Sequence, residues 1–131
     1  MGRFVLPALV LALLSASALA DCNAPATQSE MTQCAGQAYP TADKKLNLAY
    51  NAYRARLSAE QKKKLTQAQL AWVKFRDLSC AFESSGAEGG SAYPMVRSGC
   101  LAAKTESRLK EIKALQECQE GDMSCPALND R

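Results

Sequence analysis

At 131 residues the chain has room for one domain, and its composition narrows the chemistry at once. It contains no histidine, which excludes Ser-His and Cys-His nucleophilic pairs and every histidine-ligated metal site. Its net charge of +3 is too weak for a nucleic-acid surface, where a domain pI above about 9 and clustered Lys/Arg are expected.

Residues 1–20 have the three-part pattern of a secretory signal: one cation (Arg3), an apolar run over 4–14, and the small-residue end Ala18-Leu19-Ala20. That run is shorter than the roughly 20 residues a membrane span needs, so no span is expected. Cys22 follows closely, but Asp21 stands where a lipid-modified cysteine wants a small residue. The reading is a soluble, secreted or periplasmic protein spanning 21–131. Arg3 is the only charged residue of the first twenty, so the remaining segment carries +2. All six cysteines (Cys22, Cys34, Cys80, Cys100, Cys118, Cys125) lie in it. An even count in a short exported chain reads as disulfides, and spacing alone cannot choose among the 15 pairings. No C-x-x-C motif points to zinc or redox exchange, and no metal or other cofactor is expected.

The first helical signal is the capping box Thr27-x-x-Glu30, which predicts a helix over about 28–38. Pro40 interrupts the pattern and suits the first turn of a second helix, whose apolar line is Leu46, Ala49/Tyr50, Tyr53 and Leu57. Ser58-x-x-Gln61 opens a third helix, with Leu65, Ala68, Trp72, Phe75, Leu78/Ser79 and Phe82 as its apolar line, running to about Glu83. The Lys62-Lys63-Lys64 run on it reads as a solvated face. The Gly/Ser-rich stretch 84–91 cannot hold a helix. Pro94 then suits the first turn of a last helix, with Val96, Cys100, Leu101, Ala103, Leu109, Ile112 and Leu115 apolar. Residues 117–131 read as a stapled tail. No segment alternates as a strand does. The expected fold is all-α, a small antiparallel bundle of three to four helices.

The stretch AQLAWVKFRDLSC (68–80) is the most informative in the chain. With DCNAPATQSEMTQCA (21–35), ADKKLNLAY (42–50), GGSAYP (89–94) and CLAAKTESRLKEI (100–112), it resembles the family of small secreted proteins named for the lysozyme inhibitor LprI, its N-terminal domain in particular. The resemblance implies an α-helical secreted domain and, for some members, inhibition of lysozyme. It also implies the pairs Cys22–Cys34 and Cys80–Cys100. Cys118 and Cys125 lie outside the common pattern and are left to each other.

The residues themselves read mainly as structural. Trp72 and Phe75, three apart, read as core. Asn47, Tyr50, Gln69, Arg76, Thr105 and Arg108 sit on or beside apolar stripes, where polar side chains usually bond helices together. Arg76 and Arg108 are expected to find a carboxylate, Asp43 or Asp77; lining an open groove, they would form an anion site. For function, lysozyme has a cleft with two carboxylates, and an inhibitor needs a rigid segment that fills it. Residues 83–97 have the ingredients: the Ser91 hydroxyl, Tyr93 as an aromatic anchor and Arg97 as a carboxylate partner. The alternative is a periplasmic interaction module with another partner, such as an envelope protein or a neutralised toxin. Catalysis is not expected, because no two acids lie on a catalytic motif.

Overall fold

The computed structural model describes residues 20–119 and 121–126; the signal reading of 1–19 and the last residues of the tail lie outside it. The described residues hold three α-helices, α1 (Gln28–Ala55), α2 (Ala59–Glu83) and α3 (Tyr93–Gln116), with a one-turn 3-10 helix (Ser85–Ala87) after α2. No strand occurs among them.

Helix α1 begins as its sequence dictates. The Thr27 side chain accepts from the Glu30 backbone N–H, and the Glu30 carboxylate accepts from the N–H groups of Thr27 and Ala26. The expected break at Pro40 does not occur: one helix of 28 residues runs straight through it. An internal proline leaves the carbonyl four residues back without its donor, at a cost of about 3 kcal/mol. Here that carbonyl belongs to Gly36, and both residues are exposed, so water can solvate it. Packing of Ala42, Leu46 and Tyr53, all buried, offsets the rest. Ser58 caps α2 by accepting from the Gln61 N–H. Pro94 sits in the first turn of α3, where its missing N–H costs nothing.

The contacts fix the sense of each helix. Gln28 of α1 meets Met95 near the start of α3, while Gln116 at the end of α3 donates to the Ala49 carbonyl at 2.9 Å. Helices α1 and α3 therefore run parallel, and they form the most closely packed pair. Buried Ala42 and Ala102 let their backbones approach. Helix α2 runs the other way: Tyr50 meets Thr66, Asp43 meets Arg76, and Glu83 meets Lys104. The expected all-α bundle of three to four helices is met with three among the described residues: α2 runs antiparallel to both α1 and α3, and the closest interface is the parallel pair α1–α3.

The apolar core comprises Leu46, Tyr53, Leu57 and Ile112, with Leu65, Trp72, Leu109 and Leu115 packed around it. The Tyr53 hydroxyl is the one buried side-chain polar atom among the described residues with no hydrogen-bond partner. Burial raises its pKa above the ordinary tyrosine value, with Arg56 countering only in part. Tyr53→Phe is therefore expected to hold or raise stability at neutral pH, by up to about 1 kcal/mol, whereas Tyr53→Ala should cost about 3–5 kcal/mol. The alkaline behaviour follows from the same shift. The unfolded chain loses this proton near pH 10 while the folded chain retains it, so the wild type loses stability as pH rises past about 10. The Tyr53→Phe variant lacks that component. Urea melts at neutral and alkaline pH check both, and a clear loss on Tyr53→Phe at neutral pH would show that the hydroxyl is bonded.

Candidate functional site

Two features qualify for functional roles: a polar layer in the middle of the bundle and the loop at the end where α2 gives way to α3. Arg76 is the centre of the first. It is 5% exposed, and its guanidinium stacks near Tyr39 of α1 (5.1 Å to the ring centroid) and Trp72 of α2 (5.2 Å). Its Nε donates to Asp77 at 2.9 Å, and its Nη1 donates to Asp43 at 3.3 Å and to Thr105 at 3.4 Å. Asn47 donates to the other oxygen of Asp43. Burial works against the charge of Arg76, but the hydrogen bond to Asp77 and the neighbouring acidic groups outweigh it, so its pKa lies above the ordinary arginine value.

Arg108 finds neither Asp43 nor Asp77. It donates to Gln69 at 3.0 Å and to Glu111 at 2.7 Å, and it shares the Trp72 ring. With both arginines engaged by carboxylates, the open anion site considered from the sequence is not formed. Tyr50 takes a different role: its hydroxyl and Arg54 Nε both reach Thr66, tying the end of α1 to the start of α2. Thr66, Tyr39 and Glu111 were not singled out in the sequence, because nothing in their spacing distinguishes them from other surface residues.

Phe75 is a correction. Expected in the core, it stands 61% exposed. The inward line of α2 is Leu65, Gln69, Trp72, Arg76 and Cys80; Gln69, Arg76 and Cys80 are buried, whereas Leu78 and Phe82 are exposed like Phe75. The apolar and inward lines share Leu65 and Trp72 and diverge beyond them, because Arg76 must face Asp43 and Cys80 must face Cys100.

Three disulfides join Cys22–Cys34, Cys80–Cys100 and Cys118–Cys125. The second sets up the loop. The presented loop expected over 83–97 is shorter than anticipated, since Glu83 ends α2 and Tyr93–Arg97 already belong to α3. Residues 84–92 close through four successive backbone turns: Ala87 to Ser84, Glu88 to Ser85, Gly90 to Ala87 and Tyr93 to Gly90. Ser84 is buried and donates to the Cys80 carbonyl. Gly89 has φ +79°, a conformation other residues rarely adopt. Ser91 is exposed in the last turn, while Tyr93 and Arg97, half-buried, sit one helical turn apart at the start of α3. Beside the loop lies a groove of about 360 Å³ between α2 and α3, lined by Trp72, Phe75, Glu83, Cys100 and Lys104 among others. Lys104 bonds Glu83 at 2.9 Å and lies over the Phe75 ring.

Residues 20–112 match the family described as Lysozyme inhibitor LprI. The chain belongs to this family. The LprI match takes in α1, α2, the loop, α3 as far as Ile112 and two of the disulfides, while Cys118–Cys125 lies beyond it. A relative, an uncharacterised protein of Rhizobium meliloti (strain 1021), is 36% identical over 113 residues, covering 76% of this chain and 81% of its own. No solved structure matches the chain. None of the described helices is long and apolar enough to cross a membrane, and the three disulfides fit an oxidising compartment.

Proposed function

We propose that this LprI-family chain is exported through residues 1–20, folds in the periplasm or outside the cell, and inhibits lysozyme by binding it. The contact is assigned to the loop end, with Ser91, Tyr93 and Arg97 as the binding side chains. The observation that carries this reading is the pinned yet exposed loop. Residues 84–92 are held by four backbone turns, a buried serine and the Cys80–Cys100 disulfide, while Ser85, Gly86, Glu88, Gly89, Gly90 and Ser91 remain exposed. A segment ordered in advance avoids the entropy of ordering on binding. Its hydroxyl and cation suit a cleft whose working groups are two carboxylates. A net charge of only +2 on 21–131 provides no attraction to a cationic enzyme, so shape has to supply the affinity.

The test is lysis of bacterial cell walls by lysozyme in the presence of the oxidised protein purified from an exporting host. Inhibition at micromolar concentration is expected. Ser91→Ala, Tyr93→Ala and Arg97→Ala should each weaken it, with Tyr93→Ala largest at about tenfold or more, the size of an anchor contact. Absence of inhibition by the wild type would remove the function. Unchanged potency in all three variants would remove only the assignment of the loop.

A further inference from the structure

Helix α2 carries a second surface that the loop assignment does not use. Leu70, Phe75, Leu78 and Phe82 are 66, 61, 61 and 80% exposed. At 100° per residue they and Ala71 fall within an arc of about 140° on the outer side of α2, with Phe75 at its rim beside the groove that α2 forms with α3. Single exposed apolar residues need no explanation, but four large ones in one stripe do.

We infer that this stripe pairs with the same stripe of a second copy, α2 against α2 in antiparallel sense about a twofold axis. Area and charge both favour that occupant. Two phenylalanines of roughly 150–250 Å² each and two leucines of roughly 150 Å² each, all about two-thirds exposed, together present on the order of 500 Å² per copy. Two copies bury on the order of 1,000 Å², the lower limit for a specific interface.

The charges at the stripe are of both signs: Lys74 within the arc, between Leu70 and Leu78, Asp77 just outside it on the Leu70 side, and the Glu60–Lys64 pair at the start. A lipid surface would call for uniformly basic flanks. An antiparallel pair instead centres near residue 76, so that Leu70 meets Phe82 of the second copy and Lys74 meets its Leu78. A twofold axis brings the Leu70 side of the stripe onto the same side of the other copy, and this register sets Lys74 one residue from Asp77 of the second copy, twice. Lys74 has no ion-pair partner among the described residues, and the Asp77 side chain, bonded to Arg76 through one oxygen, is still 48% exposed.

Sedimentation velocity and light scattering of the oxidised protein from an exporting host test this. The wild type is expected to show a concentration-dependent monomer–dimer equilibrium that weakens with salt. Phe82→Ser and Lys74→Glu should each shift it to monomer with helicity and melting temperature retained, since both side chains are exposed. Lys44→Glu on α1 changes the net charge equally and should leave the dimer intact. A wild type that stays monomeric into the millimolar range would overturn the inference. So would a dimer that survives both α2 substitutions, or a monomeric wild type whose lysozyme inhibition is lost on Phe82→Ser, which would give the stripe to the enzyme.

Discussion

Replacing Arg76 by alanine is expected to lower the stability of this protein by about 3 kcal/mol, among the largest effects of any single substitution in the chain. The guanidinium fills the space between Tyr39 and Trp72 and bonds Asp43, Asp77 and Thr105, so all three helices meet on it. Its removal leaves a void between two rings and strands the Thr105 hydroxyl, whose residue is fully buried. The two carboxylates are partly exposed and regain water, which keeps the loss below that of an orphaned buried charge. Arg76→Lys is expected to recover less than half, because an ammonium has neither the planar face nor the fork of donors. Arg76→Met separates packing from charge. If methionine matches arginine in urea melts, the ion pairs add nothing net and the site works by filling space. If Arg76→Ala itself costs under about 1 kcal/mol, the layer does not hold the bundle together.

Removing the Cys80–Cys100 bridge by paired serine substitution is expected to cost about 3 kcal/mol, from the added freedom of an unfolded chain no longer closed over a separation of 20 residues. Its effect on lysozyme inhibition should exceed its effect on the folded fraction. The bridge joins the end of α2 to the start of α3 just outside residues 84–92, so without it the turns at Ser84 and Gly90 open more readily. The comparison is made well below the melting temperature, where the variant is folded. A further loss of potency there reports the loop alone, and equal potency would show that its turns are self-sufficient. The Cys118–Cys125 bridge closes a separation of only 7 residues and lies outside the LprI match, so its removal by paired substitution should leave inhibition unchanged.

Much of the fold was legible locally. Thr27 with Glu30, Ser58 with Gln61, and Pro94 each mark a helix start by satisfying or removing orphan N–H groups within one turn, and each start is where those residues place it. The Gly/Ser stretch ends α2 because its residues favour turns whatever surrounds them. Pro40 misled because the cost of an internal proline is local, whereas the packing that outweighs it comes from α3, about sixty residues away in sequence.

Helix type and helix starts, then, were properties of the chain itself: caps, prolines and glycines act on neighbours a few residues off, and no partner is needed to read them. Which side of α2 turns inward, that α1 and α3 lie parallel, and that Arg76 stacks against Tyr39 were decided only when the helices met. A side chain's burial is set by groups distant in sequence, and a cation between two carboxylates and two rings can hold the centre that Phe75 and Phe82 would have claimed by hydrophobicity alone.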